Sequence, residues 1–342
     1  MLEDAGPGSD AQVAAPDAGS SAPDAARVDA SSGDGGVEAP DAGPAVDAGT
    51  PDTGTSASRI VLFGSSLQEA STWVFDGSRW QELSTARVGN PGTRIDPQLF
   101  SLGGQLFLHG GSGGGRNCGG STELDDTWAF DGAQWTLVQG ARACTSFAPA
   151  ARLGDRVLFA GGAPFNRMRA FDGARFSELP VEAPWIGVGK RMAALGDTLV
   201  LFGGDPIGIM GGADPGATWV FDGARWTELD IPGPAPRANH TMATLGDQVV
   251  LFGGVAGGRY FGDTWVFDGE RWREIATPGP EPRARAAMAA LDGRLILHGG
   301  QDISTVGVCR SDTWAFDGAR WEPLVDAGGP QNRCAHAMAT LE

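Results

Sequence analysis

The chain of 342 residues contains little of what several common functions require. It has a single lysine, Lys190, and a formal net charge of −17 at pH 7. Because nucleic-acid backbones are bound by clustered basic side chains, this balance argues against a nucleic-acid partner. No apolar run is long enough to cross a bilayer, and the first residues show neither the charged start nor the apolar core of a signal peptide.

Histidine, cysteine and tyrosine are also scarce, with four, four and one copies. The cysteines have no Cys-x-x-Cys spacing, and the histidines have no close acidic or thiolate partner in sequence, so we expect no metal site. No Ser-His-Asp order and no recognisable carboxylate pair occurs, and no helix follows the glycine pairs. We therefore assign no catalytic residue and no cofactor.

Glycine, in contrast, is abundant, and much of it belongs to a sixfold repeat. The phrase Phe-Asp-Gly recurs at intervals of about 50 residues. Its six phenylalanines are Phe75, Phe130, Phe171, Phe221, Phe267 and Phe316. A hydrophobic run ending in glycine precedes each copy, as in Leu251-Phe252-Gly253-Gly254. Short apolar runs and glycine turns at this period predict stacked supersecondary units.

One repeat, residues 237–275, shows four runs typical of β-strands. The runs are 237–245, 248–252, 264–267 and 271–275. Asp268-Gly269 lies between the last two and predicts a two-residue type I′ hairpin turn. The second run does not alternate with polar residues, which indicates a sheet that is covered on both faces. Four-stranded antiparallel sheets that pack face to face in a radial order form a propeller.

The two ends of the repeat region complete each other. The chain enters this region at a second strand, Arg59–Phe63, and residues 333–341 form a first strand that has no second strand after it. Pairing these two segments would remove both open sheet edges. The sequence therefore predicts an all-β fold over residues 59–342. It is a six-bladed β-propeller of four-stranded antiparallel blades, closed by pairing of the C-terminal strand with the N-terminal blade.

Residues 1–58 have a different composition. They contain eleven acidic residues, one basic residue (Arg27) and no aromatic residue, for a net charge of −10. Low hydrophobicity and like charges predict a disordered, solvated tether. In a more specific alternative, this segment is an acidic ligand for a basic surface, but the spacing of its acidic residues does not support this.

The repeat resembles the kelch repeat, with a hydrophobic-Gly-Gly end of the second strand, an aromatic third strand and a Trp in the fourth. The copy Asp-Thr-Trp-Val-Phe-Asp-Gly followed by Arg-Trp, which begins at Asp263, resembles bacterial kelch-type propellers. The resemblance covers residues 59–342 and implies the fold. It leaves function open, because kelch-like propellers include peptide-binding modules, carbohydrate oxidases and sugar-processing enzymes.

Two further patterns in the repeats predict packing contacts. Tryptophans pair at one spacing in five repeats, while the third repeat has Arg169 and Phe176 there instead; we expect these aromatic pairs to pack between blades. The pairs are Trp73/Trp80, Trp128/Trp135, Trp219/Trp226, Trp265/Trp272 and Trp314/Trp321. Four histidines, His109, His240, His298 and His336, also occupy repeat-matched strand positions and are interpreted as packing residues.

The four cysteines lie at corresponding places in two pairs of adjacent blades. Of three connectivities, this placement favours Cys118–Cys144 and Cys309–Cys334. Disulfides favour an oxidising compartment, and the leader resembles the tether of a bacterial exported lipoprotein. We therefore expect an extracytoplasmic protein (periplasmic, surface-bound or secreted) whose lipid anchor was lost with the native N-terminus.

Four arginines occupy one position before the first strands of neighbouring blades. These residues are Arg94, Arg237, Arg283 and Arg333. Such an arc at the loop-rich face suits bidentate capture of carboxylates. In the alternative interpretation each arginine pairs with a third-strand aspartate, Asp126, Asp263 or Asp312, and locks blade to blade. Tyr260 lies on the same face.

These observations predict a monomeric, non-enzymatic binding module that recognises a protein or glycan partner, with carboxylate groups bound by the arginine arc and Tyr260. Kelch-type copper-radical oxidases need two tyrosines, which excludes that chemistry here. Sialidase-like six-bladed enzymes use a tyrosine with an arginine cluster, so the alternative is a mutarotase- or glycosidase-like enzyme acting on acidic sugars. A third alternative is a purely structural part of an envelope assembly.

Overall fold

The computed structural model describes residues 58–342, except for 65–69, 85–88, 114–121, 146, 162–165, 185–186, 206–215 and 303–308. Apart from Ser58, the segment predicted as a tether lies outside the described residues, so the domain boundary stays a prediction. The described part of the chain contains strands and turns but no helix, and hence no helix that could span a membrane.

Six antiparallel sheets of four strands each form the blades. Blade one contains β26 (Ala337–Leu341), β1 (Arg59–Phe63), β2 (Thr72–Phe75) and β3 (Trp80–Leu83). Blade two contains β4 (Gln98–Leu102), β5 (Gln105–His109), β6 (Thr127–Phe130) and β7 (Trp135–Leu137). Blade three contains β8 (Ala150–Leu153), β9 (Arg156–Phe159), β10 (Arg167–Phe171) and β11 (Phe176–Glu182).

The remaining blades follow the same plan. Blade four contains β12 (Arg191–Leu195), β13 (Thr198–Phe202), β14 (Thr218–Phe221) and β15 (Trp226–Leu229). Blade five contains β16 (Thr241–Leu245), β17 (Gln248–Phe252), β20 (Thr264–Phe267) and β21 (Trp272–Glu274), with a small hairpin of β18 (Val255–Ala256) and β19 (Arg259–Tyr260) between its second and third strands. Blade six contains β22 (Ala287–Leu291), β23 (Arg294–His298), β24 (Thr313–Phe316) and β25 (Trp321–Pro323).

The first strands of neighbouring blades contact one another around the whole circle, so the six sheets form a ring. The predicted closure is confirmed, because β26 pairs with β1 in antiparallel register from Arg59↔Leu341 to Phe63↔Ala337. The predicted disulfide Cys309–Cys334 is also present, with its Cα atoms 5.4 Å apart, and it joins blade six to the segment that leads into the closing strand. The other predicted pair, Cys118–Cys144, lies outside the described residues because of Cys118.

The core is divided among the seams between blades. Each of six clusters of buried apolar side chains combines residues from two adjacent blades, so every blade buries both of its faces. All six phenylalanines of the Phe-Asp-Gly phrase are fully buried in these clusters. Full burial of a phenylalanine contributes about 1.5–3 kcal/mol, so this repeated residue is a principal source of stability.

The prediction of a two-residue type I′ turn at Asp-Gly is wrong. Phe267 pairs with Trp272, which leaves a four-residue loop. The Oδ1 atom of Asp268 accepts hydrogen bonds from the backbone N–H groups of Glu270 and Arg271, both at 2.9 Å. The aspartate thus ties down the turn locally and keeps negative φ, and only Gly269 adopts positive φ, at 100°.

The fourth-strand tryptophans link neighbouring blades, as predicted. Trp272 donates its indole N–H to the Thr218 hydroxyl of blade four at 2.8 Å. Equivalent bonds join Trp80 to Thr313, Trp135 to Thr72 and Trp321 to Thr264. In blade four, Trp226 instead approaches the Met168 sulfur at 3.0 Å. A recurring hydrogen bond thus orients one large ring at each of these seams.

Candidate functional site

The predicted arginine arc lies just before the first strands, and three of its members are buried. Arg237 is 1% exposed and binds both carboxylate oxygens of Asp263, at 2.5 and 2.8 Å, and the carbonyl oxygen of Gly253 at 3.1 Å. Arg283 binds Asp312 in the same bidentate way, at 2.7 and 2.8 Å. Arg94 binds Asp126 at 3.0 and 3.2 Å.

The third-strand tryptophans complete these pairs. Trp265 and Trp314 donate their indole N–H groups to the Oδ2 atoms of Asp263 and Asp312, at 2.8 and 2.7 Å, and Trp128 does the same to Asp126. Burial by itself raises the pKa of these carboxyls. The arginine, through its hydrogen bonds and its charge, and the tryptophan, through its indole hydrogen bond, outweigh this effect of burial. The pKa of each carboxyl is therefore lowered below its usual value.

The same arginines also bind the preceding blade through their backbone. The carbonyl oxygen of Arg237 accepts a hydrogen bond from Gly204 of blade four, and that of Arg283 accepts one from Gly254 of blade five, both at 2.8 Å. Each residue therefore holds its own blade by the side chain and the previous blade by the main chain. This geometry supports the alternative in which the arginines join blades, and ligand binding by these arginines stays a prediction.

The triad of arginine, aspartate and tryptophan is modified or missing in the other blades. In blade one, Arg333 and Trp73 both donate to the hydroxyl of Ser71, at 3.0 and 3.1 Å. In blade four, Gly187 and Ala217 stand at the arginine and aspartate positions, and the buried indole N–H of Trp219 has no partner among the described residues.

Blade three replaces the triad with other charged contacts. Thr145 stands at the arginine position, while Arg167 stands at the aspartate position and pairs with Glu178. Arg169, which replaces the third-strand tryptophan, donates to the carbonyl oxygen of Cys144. Blades three and four thus share the fold of the others without their arginine–aspartate pair.

The histidines divide into two kinds. His298 contacts the hydroxyl of Thr313 at 3.0 Å and the carbonyl oxygen of Pro330 at 3.1 Å. Because Thr313 also accepts from Trp80, this bonded series crosses the seam between blades six and one. Burial lowers the pKa of His298, and likewise that of His109, to about 4.

His240 and His336 are buried, but neither ring nitrogen of either has a hydrogen-bond partner in the described part of the chain. Burial lowers the pKa of both far below its usual value. All four histidines are therefore buried packing residues, as predicted, but within the described part of the chain only His109 and His298 are satisfied by hydrogen bonds. Across the described ranges, no group of three or more His, Cys, Asp or Glu side chains is placed to hold a metal.

Tyr260 lies on the small hairpin of blade five, half-buried and paired with Val255. Its neighbour Phe261 lies under the guanidinium of Arg237, 3.9 Å from that group to the ring centre. Tyr260 is therefore one residue away from a contact with the arc, and it does not line the central cavity described next.

Sequence reasoning missed a second ring, which surrounds the central opening at the start of the first strands. Two residues after each arginine position, the backbone has positive φ in every blade. We call these six residues the mouth ring: Asp96, Phe147, Gly189, Asn239, Arg285 and Ala335. A non-glycine residue in this region is uncommon, and five of the six are not glycine.

Main-chain hydrogen bonds join four successive pairs of the mouth ring. Asn239 donates to Gly189, Arg285 to Asn239, Ala335 to Arg285 and Asp96 to Ala335, all at 2.8–3.0 Å. Within the described residues, the series does not continue through Phe147. The left-handed backbone thus allows four of these residues to donate to the mouth-ring residue of the preceding blade.

The mouth ring opens into a central cavity of about 200 Å³, which we call the mouth cavity. Its wall carries two arginines, Arg191 and Arg285, and one carboxylate, Asp96. All three residues line this one cavity, where burial lowers the pKa of Arg191, the charge of Asp96 raises it and the charge of Arg285 lowers it further. Four methionines line the cavity deeper in the channel: Met192, Met242, Met288 and Met338.

Asp96, Arg191 and Arg285 form no ion pair within the described residues. The guanidinium of Arg191 donates to the carbonyl oxygen of Lys190 at 3.1 Å. These charged groups therefore differ from Arg94, Arg237 and Arg283 of the arginine arc, each of which is paired with an aspartate of its own blade. Charged side chains that face a concave site without forming a direct ion pair can bind a ligand of opposite charge.

Six antiparallel blades around a central cavity define the class of this protein, a β-propeller. Residues 175–342 match the family model described as the KLHDC2/KLHL20/DRC7 Kelch-repeats domain. The matched segment, just under half of the chain, includes blades four to six and the closing strand, so the kelch resemblance predicted from the sequence is confirmed for these residues. No curated protein matches the chain.

Proposed function

We propose that the chain is a kelch-type binding module that binds a carboxylate-bearing group of a protein or glycan partner in its mouth cavity. Kelch propellers are commonly protein-interaction modules, which favours a protein partner. The proposal rests mainly on Arg191 and Arg285, whose guanidinium groups face the cavity without an ion-pair partner among the described residues. In an otherwise acidic chain, they focus positive potential at the opening.

In this proposal the arginine arc has a supporting role. Arg94, Arg237 and Arg283 hold the segments that lead into the first strands, and the mouth ring begins two residues further along each segment. A site on strands that are fixed in this way binds with little loss of conformational entropy. The contact with the carboxylate itself is assigned to Arg191 and Arg285.

We also propose an extracytoplasmic location. The Cys309–Cys334 disulfide supports it, because stable disulfides form mainly in oxidising compartments. The acidic tether predicted for residues 1–58 would hold the propeller away from an anchor. Mapping of thiols in protein taken directly from its native cells tests this location, and free thiols at both cysteines would contradict it.

Calorimetric titration of the full chain with acidic peptides, uronic acids and sialic acid tests the binding proposal. We expect saturable binding of at least one acidic probe and a loss of about tenfold in affinity in Arg285→Gln. Arg320→Gln is the matched control, because this exposed arginine pairs with Asp317 in a turn outside the cavity. Equal binding by both variants, or no binding of any acidic probe, would contradict the proposal.

The same sugars distinguish the enzymatic alternative. A binding module leaves uronic and sialic acid substrates unchanged after prolonged incubation. Turnover that is lost in Tyr260→Phe would instead indicate a carbohydrate-active enzyme that uses the single tyrosine.

A further inference from the structure

The mouth cavity has an apolar side as well as a charged one. Four large apolar side chains are exposed in the described part of the chain: Leu137, Phe147, Val188 and Val325. Two of them, Phe147 at 46% and Val188 at 43% exposed, lie on adjacent blades and line this cavity. Exposed apolar side chains that gather at one concave site indicate an interaction surface.

The backbone of Phe147 is strained. Its φ is 58°, in the left-handed region that disfavours bulky residues by roughly 1–2 kcal/mol. The equivalent residues in the neighbouring blades are Asp96 and Gly189, types that tolerate this conformation. Because the ring of Phe147 is half exposed, packing recovers little of this strain. A strained residue that the core does not require is a candidate for function.

The charged side lies across the opening. Blades three and six are opposite in a ring of six, so Arg285 of blade six faces Phe147 of blade three. Arg191, on the first residue of β12, is close enough to Arg285 for their like charges to interact. The wall formed by Phe147 and Val188 therefore favours an apolar group, and Arg285 on the facing wall favours an anion. Arg191 lies on the same blade as Val188.

The volume limits what can enter. About 200 Å³ is smaller than the 300–1,000 Å³ or so of cavities that enclose drug-sized ligands. It suits one or two side chains of a segment that lies across the opening. In an extended chain, adjacent side chains project to opposite sides, so two neighbouring residues can reach the two facing walls. The methionines deeper in the channel can adapt to the shape of an apolar side chain.

We propose that the mouth cavity binds an extended segment of a partner protein in which an acidic residue lies directly beside a large apolar residue. The carboxylate is placed toward Arg285, and the apolar side chain toward Phe147 and Val188 on the facing wall; Arg191 adds positive charge to the same cavity. This inference rests on the proposed function and narrows its ligand class from carboxylate-bearing groups to an acidic–apolar pair in a polypeptide.

A positional-scanning hexapeptide library on the immobilised full chain tests this pairing. We expect joint enrichment of Asp or Glu beside Phe, Leu, Ile, Met or Trp. In the best peptide, replacing either the acid by its amide or the apolar residue by Ala should weaken binding about tenfold. Phe147→Ala should abolish the preference for the apolar residue and keep the preference for the acid. Arg285→Gln should do the reverse.

Val325→Ala and Arg320→Gln are the matched controls, since both side chains are exposed outside the cavity, and both variants should bind like the wild type. Melting temperatures confirm that each variant is folded. If acids are enriched without an apolar neighbour, or if Phe147→Ala keeps the apolar preference, the pairing is wrong while the proposed function stands. If neither library peptides nor acidic sugars bind, the proposed function fails as well.

Discussion

Blades two, five and six carry a buried arginine–aspartate–tryptophan triad, whereas blades three and four form the same four-stranded sheets without it. Burial of the apolar strands is common to both regions, so the blade itself depends on hydrophobic packing and not on the triad. The triad instead fixes the segment that enters each blade. Where it is missing, the mouth presents the exposed side chains Phe147 and Val188.

The two groups of blades therefore have different roles in this ring. The blades that carry the triad form a continuous arc with blade one, whose Ser71 stands in for the aspartate. Main-chain bonds of the mouth ring run through the same arc, from Gly189 of blade four to Asp96 of blade two, and among the described residues none includes Phe147. Rigid positioning and an adaptable apolar surface thus occupy different sides of one opening.

Breaking a triad should produce the largest effect. Asp312→Ala leaves the guanidinium of Arg283 buried without its counter-ion, so we expect a loss of about 3–5 kcal/mol in the free energy of unfolding. The matched change in blade three is Arg167→Ala, at the equivalent position, where an exposed pair with Glu178 contributes about 0–1 kcal/mol. Denaturant unfolding of both variants measures the difference, and similar losses would remove the distinction between the two regions.

Removing the disulfide tests the seam that closes the arc. The bond between Cys309 and Cys334 spans 25 residues, and loss of such a loop constraint should destabilise the ring by about 3 kcal/mol. A double Cys309→Ser/Cys334→Ser variant should therefore unfold at lower denaturant concentration than the wild type. An unchanged midpoint would mean that β26 is held fully by its strand pairing and by the apolar cluster between blades six and one.

Acid should weaken the seams that contain His109 and His298. Burial holds their folded pKa at about 4, while the unfolded value is about 6.5. Between these values the unfolded state binds more protons, so stability falls as the pH falls through this window. Each histidine should remove on the order of 3 kcal/mol by pH 4.

His298→Phe tests this expectation, because phenylalanine occupies the equivalent place in blade five as Phe252. The free energy of unfolding, measured from pH 7 to pH 4, should fall less steeply in this variant than in the wild type. Identical slopes would show that the acid sensitivity comes from other groups.

The smallest effect is expected in blade four, which lacks the triad. Gly187 stands at the arginine position with φ of 88°, and a Cβ atom there would lie 1.7 Å from the carbonyl oxygen of Asp205. Gly187→Ala should therefore destabilise by roughly 1–3 kcal/mol. Gly196→Ala is the control, since its φ is also positive but its Cβ would meet open space. Equal losses would attribute the effect to backbone strain alone.

Much of the fold could be predicted from the sequence, because its determinants are local and repeat. The Phe-Asp-Gly period, the apolar runs and the unmatched first and last strands each follow from patterns within a few tens of residues. The turn at Asp268-Gly269 was predicted wrongly because the competition between a tight hairpin and a side-chain hydrogen bond is decided by four residues together. The pair Cys309–Cys334 was predictable because its members recur at matched positions in adjacent blades.

The candidate site was less accessible to prediction. The position of the arginines was visible, but not whether their side chains face solvent or the aspartates of their own blades. The mouth ring had no visible pattern, since its members include a phenylalanine, a glycine and an arginine. Its members share only a positive backbone φ angle, and this angle cannot be read from the residue types that occur here.

The sequence by itself determined the number of blades, the strand order and the closure of the ring, because hydrophobic period and turn chemistry act along the chain. The tertiary structure decided that three arginines of the arc are buried and that Arg285 faces Phe147 across one opening. These relations join residues from different blades, separated by many tens of positions, and only the closed ring brings them within reach of one another.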